Sequence, residues 1–123
     1  MAVLGVDLRA SNKKPSSIAI LDSESHLAQL GSFLEDEELI KLVNDVKPSL
    51  VAIGAPLNLP SGFCCLDQTC DCRFSVPNRK GRLLELELAK MGISCFYTNK
   101  GSIIRDLIYR GILLSKVLRD AGH

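Results

Sequence analysis

Short apolar runs separated by turn residues dominate the first third of the chain. Residues 2–8 form a continuous apolar run with an acid, Asp7, near its end, as is typical of a buried central strand. A turn at residues 12–15 precedes a second apolar run over 17–21, and a third, weaker strand is predicted over 26–33. The pattern therefore predicts three strands joined by hairpins.

A helix and a fourth strand are predicted next. Four acids at residues 35–38 suit the start of a helix, because they complement the positive end of its dipole. The apolar residues that then recur at helical spacing are Leu39, Ile40, Val43 and Val46. Pro48 ends this pattern before a second continuous apolar strand at residues 50–53. A strand entered through a helix implies a parallel crossover, so we expect an α/β fold with a mixed sheet.

The second half of the chain predicts a long loop and two helices. Residues 54–80 contain three prolines and four cysteines, which indicates an irregular loop. A helix is predicted over 82–91 with Gly92 after it, followed by a short strand over 93–97 and a last helix over 102–121. We expect the inward residues of the two helices to be Leu84, Leu88, Met91, Ile104, Leu107, Ile108, Ile112 and Val117.

Length, charge and targeting signals narrow the class of protein. The 123 residues fit a single domain, and 15 basic against 14 acidic residues leave a net charge of +1, which demands no polyanionic partner. The N-terminus lacks the basic and apolar regions of a signal peptide, and no apolar run approaches the length of a membrane span. We therefore expect a cytoplasmic protein whose five cysteines are reduced or bind metal, unless the source is a hyperthermophile.

Several motifs together resemble a family of uncharacterised predicted nucleases with a ribonuclease H-like fold. In the first half the motifs cover residues 4–8, 18–22 and 51–60. Later pieces are Cys70-x-Cys72-Arg73, Arg82-x-x-Glu85, Gly92-Ile93 before Tyr97-Thr98, and Arg110-Gly111-Ile112. The resemblance implies a ribonuclease H-like mixed sheet flanked by helices over residues 1–123. Relatives continue beyond residue 122 into another strand and a final helix, so this chain is either a truncated form or a shortened member that pairs with a second copy.

The chemistry that the resemblance implies is metal-dependent hydrolysis of a phosphodiester, with clustered carboxylates holding Mg²⁺ or Mn²⁺. Asp7 matches the first-strand acid of the family. The second acid is expected where this chain has Gly54, which has no side chain to bind a metal. Two hypotheses follow: a nuclease, or a catalytically inactive ribonuclease H-like module that binds a partner or self-associates.

Two carboxylates are candidates for the catalytic site. Asp7 at the end of a central strand is either a metal ligand or a cap for a neighbouring loop, because a charge near a buried sheet needs compensation. Glu85 either reaches toward the same site or forms an i, i+3 surface ion pair with Arg82.

Cysteines and basic residues supply two further candidate sites. Cys64, Cys65, Cys70 and Cys72 offer enough thiols for a tetrahedral Zn²⁺ site, although their spacing departs from that of zinc knuckles, so free thiols and a disulfide are alternatives. Cys95, in the predicted strand over 93–97, is interpreted as a small buried apolar residue. Arg73, Arg79, Lys80 and Arg82 either contact nucleic-acid phosphates or form a solvated loop.

Overall fold

A four-stranded mixed sheet with three helices makes up the regular structure. The structure is a computed structural model that describes residues 1–123. Its strands are β1 (Val3–Asp7), β2 (Ser16–Leu21), β3 (Leu27–Phe33) and β4 (Leu50–Ile53). Its helices are α1 (Asp36–Val46), α2 (Leu83–Lys90) and α3 (Arg105–Asp120). No helix combines the length and the apolar character that crossing a membrane requires.

The strand order is β3-β2-β1-β4, with β1 and β2 in the centre. β1 pairs antiparallel with β2, placing Leu4 opposite Ile20, and β2 pairs antiparallel with β3. β4 returns through α1 and pairs parallel with β1, placing Leu4 beside Val51. This pattern confirms the predicted α/β class, with three antiparallel strands followed by a parallel one.

One face of the sheet is covered by α1 and α3 and contains the apolar core. The core residues contributed by the sheet and its flanks are Leu4, Val6, Leu8, Ile18, Ile20 and Phe33, and those contributed by the helices are Leu39, Val43, Leu114 and Leu118. Each fully buried side chain of this size contributes about 1.5–3 kcal/mol relative to an exposed one. Alternate residues of the central strands therefore fix which face the helices cover.

Polar contacts set where α1 begins and how α3 is held against the sheet. The Glu38 carboxylate accepts hydrogen bonds from the backbone N–H of Glu35 (2.8 Å) and of Leu34 (2.9 Å), and these bonds lower its pKa below the usual range. Arg110 of α3 donates to Asp36 through Nη2 (2.7 Å) and Nε (3.0 Å). It also donates to the backbone carbonyl of Arg9 (2.9 Å), so one guanidinium joins three segments.

The close approach of α3 to the chain after β4 requires a glycine. A Cβ added at Gly111 would lie 2.8 Å from the carbonyl oxygen of Pro56 and 2.9 Å from the Cβ of Ala55. Any side chain at position 111 would therefore push α3 away from the start of the long loop. This contact holds residues 54–57 against α3.

Three predictions for residues 82–97 are wrong. Residues 93–97 do not form a strand, because they pair with no strand of the sheet. Cys95 is consequently exposed, not buried. The predicted inward face of α2 is also wrong for two of its three residues, since Leu84 and Met91 are 58% and 72% exposed, whereas Leu88 is half-buried. The residue of α2 that is buried is the acid Glu85.

The last helix agrees more closely with its prediction. It begins at residue 105, three residues later than expected, and ends at 120. Ile108 is buried as predicted, and the other four predicted inward residues of α3 and its N-terminal end are half-buried. Leu114 and Leu118, which were not among the predicted inward residues, are buried.

Candidate metal centre

Four cysteine sulfurs converge in the loop between β4 and α2. The Sγ atoms of Cys64, Cys65, Cys70 and Cys72 all lie within 4.8 Å of one another, with Cys64 at 3.7 Å from Cys65 and 3.5 Å from Cys70. Zn–S bonds of about 2.3 Å in a tetrahedron place sulfurs about 3.8 Å apart. A disulfide needs about 2.05 Å, and all five cysteines are free. The four sulfurs are therefore close enough together to bind one metal ion.

A tight turn brings the two cysteine pairs together. The Oδ1 atom of Asp67 accepts hydrogen bonds from the backbone N–H of Thr69 (2.9 Å) and from its hydroxyl (2.8 Å). The backbone N–H of Cys70 donates to the carbonyl of Asp67 at 3.1 Å. The Thr69 hydrogen bonds lower the pKa of Asp67, which keeps this acceptor ionised. The turn reverses the chain so that the adjacent Cys64 and Cys65 face the later pair despite their unusual spacing.

The cysteine loop is attached to α3 and to the segment before it. Leu66, between the two cysteine pairs, is completely buried, and its backbone N–H donates to the Tyr109 hydroxyl at 2.7 Å. Lys100 donates a hydrogen bond from Nζ to the carbonyl of Cys70. Its ammonium also lies 5.6 Å from the centre of the Phe63 ring. A positive charge is thereby held next to a cluster of thiols.

The thiols of the cluster differ in their readiness to ionise. Hydrogen bonding with the Cys70 side chain, the largest effect, raises the pKa of Cys64 to about 12. Backbone hydrogen bonding at Cys64, acting against desolvation, lowers the pKa of Cys72 to about 6. Within the cluster, Cys72 is thus the thiol whose pKa is lowered and Cys64 the thiol whose pKa is raised. Metal ions bind the thiolate form of cysteine. A metal ion would therefore bind Cys72 most readily, whereas Cys64 would first have to lose its proton.

Asp7 occupies the exposed carboxyl end of the central strand β1. Its side chain makes no hydrogen bond or ion pair with other residues of the chain. The parallel register places Val6 beside Ile53, so Gly54 follows at the neighbouring position of β4. The backbone N–H of Gly54 donates to the carbonyl of Val6 at 2.9 Å. The adjacent strand therefore offers Asp7 a backbone neighbour and no second carboxylate.

Glu85 is the centre of a buried polar network. It is 2% exposed, and its carboxylate accepts bonds from Arg82 Nε (2.6 Å), the Thr98 backbone N–H (2.6 Å) and the Thr98 hydroxyl (2.7 Å). Desolvation alone would raise the pKa of Glu85, but the hydrogen bonds from Thr98 and Arg82 outweigh it, and the pKa lies below the usual range. The predicted Arg82–Glu85 pair is present, although it is buried and not on the surface as predicted.

The four basic residues of the sequence prediction occupy different environments. Arg73 and Lys80 are exposed, and Arg79 is half-buried. Arg82 is committed in part to Glu85, and its Nη1 donates to Asn58 Oδ1 at 2.6 Å. The structure thus brings Arg79 and Arg82 into one cleft, which both residues line, and leaves Arg73 and Lys80 outside it.

Three polar partners of these sites were not predicted. Thr98 and Asn58 fix the carboxylate and the guanidinium of the buried pair, and Tyr109 attaches the cysteine loop to α3. The sequence did contain one indication of Thr98, because Tyr97-Thr98 is among the motifs that resemble the nuclease family. No family model, curated protein or solved structure matches the chain. The resemblance to ribonuclease H-like nucleases therefore stays a prediction from the sequence.

Proposed function

We propose that the chain is a ribonuclease H-like domain that binds one Zn²⁺ ion through Cys64, Cys65, Cys70 and Cys72. The observation that carries the proposal is the approach of all four sulfurs to within 4.8 Å of one another. Zinc prefers four thiolate ligands in a tetrahedron, and a site with four protein ligands has no open position for water. The proposed ion is therefore structural and does not itself perform hydrolysis.

The role of the ion in this proposal is to order the long loop. Residues 54–80 contain no helix or strand, and few of their backbone groups are hydrogen-bonded to one another. Four thiolates would repel one another strongly without a cation, whereas Zn²⁺ cancels two of the four charges. Lys100 next to Cys70 offsets part of the remaining charge. Zinc binding thus supplies the loop with cross-links that its backbone lacks.

The strand arrangement supports the ribonuclease H-like part of the proposal. Three antiparallel strands are followed by a parallel one reached through a helix, and β1 is central. This is the mixed sheet that the sequence motifs imply. The missing acid beside Asp7 favours a module without hydrolytic activity, in which the sheet serves as a scaffold for the loop.

Metal content tests the proposal directly. We expect protein purified under reducing conditions to contain about one zinc per chain, and Co²⁺ substitution to give the absorption of tetrahedral thiolate ligation. Cys70→Ser should lose most of the zinc, and Cys95→Ser is the matched control because Cys95 lies outside the cluster. A folded wild-type chain with all thiols reduced and no bound zinc at micromolar free zinc would contradict the proposal.

A metal-dependent nuclease is the second candidate function. The observation that favours it is the exposed, unpaired carboxylate of Asp7 at the carboxyl end of the central strand. Such chemistry needs clustered carboxylates for Mg²⁺ or Mn²⁺. The second acid predicted from the sequence is Glu85, whose two oxygens are already held by Arg82 and Thr98.

A cleavage assay decides between the two candidates. Labelled single-stranded, duplex, hybrid and branched nucleic acids are incubated with the zinc-loaded protein in Mg²⁺ or Mn²⁺. The nuclease requires that Asp7→Asn abolish cutting and that Asp45→Asn, at an exposed position of α1, leave it unchanged. If the folded wild type cuts none of these substrates, the module without hydrolytic activity is supported.

A further inference from the structure

A cleft separate from the cysteine cluster lies between the long loop and the start of α2. Its volume is about 400 Å³, within the range of small-ligand sites. Its walls come from residues 58–61, 74–76, 79 and 81–84. The two loop segments are joined by a hydrogen bond from the Ser75 backbone N–H to the Ser61 carbonyl and by contact of the two hydroxyls, each at 2.9 Å. We name this site the Arg79–Arg82 cleft.

The charged residues that line the cleft are both arginines. No acidic residue is among the lining residues, and the side chain of Arg79 makes no hydrogen bond or ion pair with the chain. Glu85, behind Arg82, balances only one of the two charges. The cleft therefore favours an anionic ligand.

Arg82 is held in place before any ligand arrives. Its side chain is only 17% exposed, and its guanidinium is fixed by Glu85 through Nε and by Asn58 through Nη1, each at 2.6 Å. A guanidinium has five N–H donors, so three remain for a ligand. Prior fixing by a carboxylate reduces the entropy lost when the ligand binds. Arginine in this state suits the oxygen atoms of phosphate, which accept two parallel hydrogen bonds.

Apart from Asn58, two serines and a glycine, the other residues that line the cleft are apolar. Leu83 and Leu84 are 56% and 58% exposed, and Phe74 packs against Phe63 with ring centres 4.5 Å apart. Leu59 and Pro60 extend this wall. An anion with an apolar planar part fits both the arginines and this surface, since nucleobases pack on aromatic and aliphatic side chains.

We infer that the Arg79–Arg82 cleft binds the phosphate group of a nucleotide, with Arg79 and Arg82 as its ligands and the apolar wall in contact with the base. The phosphate belongs either to a free nucleotide or to one residue of a nucleic-acid strand. This site goes beyond the proposed zinc centre, because none of its lining residues is a cysteine of the cluster.

Binding to the zinc-loaded full-length chain tests the inference. The probes are adenosine 5′-monophosphate, adenosine, succinate and a short oligodeoxythymidine, titrated by calorimetry or NMR. We expect the monophosphate to bind at least about tenfold more tightly than adenosine or succinate, since hydrogen bonds to charged groups are strong. An oligonucleotide that binds more tightly than the monophosphate identifies a strand as the source, and equal binding identifies a free nucleotide.

Matched variants assign the binding to the cleft. Arg79→Ala should weaken phosphate binding about tenfold or more, whereas Arg73→Ala, at an exposed position outside the cleft, should change it less than about twofold. Leu84→Glu, which adds a negative charge to the wall, should also weaken it. Zinc content is measured in the same samples and should stay constant, so loss of phosphate binding is separated from loss of the metal.

Three results would overturn the inference. One is equal loss of binding in Arg79→Ala and Arg73→Ala, and another is adenosine or succinate binding as tightly as the monophosphate. The third is a folded, zinc-loaded wild type that binds neither phosphate probe at about 10 mM, which is weaker than any specific site of this kind.

Discussion

The two halves of the molecule are held together by different forces. The sheet with α1 and α3 has a continuous apolar core of ten buried residues. In the half formed by residues 58–100, the fully buried side chains are few, and the contacts are instead the Glu85 network, the thiol cluster and Lys100. An apolar core depends on the area removed from water, whereas the second half depends on individual polar bonds and on charge. The second half should therefore respond to single polar substitutions, to pH and to metal.

The largest effect is expected at Glu85. Glu85→Ala removes the acceptor for Arg82 and for the backbone N–H of Thr98 and leaves a guanidinium that is mostly buried. Removing one partner of a buried ion pair lowers the free energy of unfolding by about 3–5 kcal/mol. Urea unfolding should show this loss in the free energy of unfolding, and Glu85→Ala combined with Arg82→Ala should recover part of it. A single-variant loss below about 1 kcal/mol would mean that the network does not hold this half together.

The Glu85 network also predicts that the free energy of unfolding depends on pH. The folded pKa of Glu85 lies below its ordinary value of 4.5, so its contribution to stability is present above that pH and is lost as the pH falls through the folded pKa. The stability difference between wild type and Glu85→Gln should therefore shrink as the pH is lowered below 4.5 and through the folded pKa. A difference that stays constant over this range contradicts the ionised network.

A core substitution sharpens the contrast. Leu39 is completely buried, and Leu39→Ala should cost about 3 kcal/mol from lost apolar contact and the cavity that remains. Because Leu39 lies in α1, zinc affinity of the folded protein should not change. Unfolding by urea and a zinc competition titration measure the two quantities separately. A large fall in zinc affinity would show that the halves are not independent.

The protonation states of the thiols predict how zinc affinity varies with pH. Cys72 ionises at a pKa of about 6 and Cys64 at about 12, so zinc must displace the Cys64 proton throughout the neutral range. Below about pH 6 it must also displace the Cys72 proton, and the fall in affinity should steepen by about tenfold per pH unit. Calorimetry in buffers of different ionisation enthalpy counts the released protons. The same proton count at pH 5 and pH 7.5 would contradict this ordering.

The smallest effect is expected where the halves are joined. Tyr109→Phe removes the hydroxyl that accepts the Leu66 N–H, and such a hydrogen bond contributes about 1 kcal/mol. Tyr97→Phe is the matched control, because the Tyr97 hydroxyl makes no hydrogen bond to the chain. Thermal unfolding of the zinc-loaded proteins measures both variants. If both variants lower the unfolding temperature equally, the Tyr109 hydroxyl does not link the loop to α3.

Prediction from the sequence succeeded where apolar periodicity decides the structure. The strands around Leu4, Ile20 and Ile53 and the helix around Leu39 were found within one or two residues, because alternation and helical spacing there reflect burial. Periodicity failed for α2, since its buried residue is Glu85, whereas Leu83 and Leu84 are exposed. The strand over 93–97 failed because an apolar run without a partner strand forms no ladder.

The candidate sites were predictable as sets of residues but not as geometries. Four thiols within nine residues identified the members of the cysteine cluster, whereas the turn at Asp67 and Thr69 that brings them together depends on side-chain hydrogen bonds. The convergence of Arg79 and Arg82 depends on how the loop folds against α2, which no local pattern encodes. Long-range polar contacts such as Tyr109 to Leu66 were likewise invisible in the sequence.

Hydrogen exchange with and without a zinc chelator tests the central claim most directly. The reporters in the loop are the backbone N–H groups of Leu66, Cys70 and Ser75, each hydrogen-bonded in the structure. Removing zinc should greatly speed exchange at these groups and leave β1 and β2 protected, because the apolar core does not use the metal. Unchanged protection of the loop, or equal loss of protection in the sheet, would contradict a zinc centre that orders the loop alone.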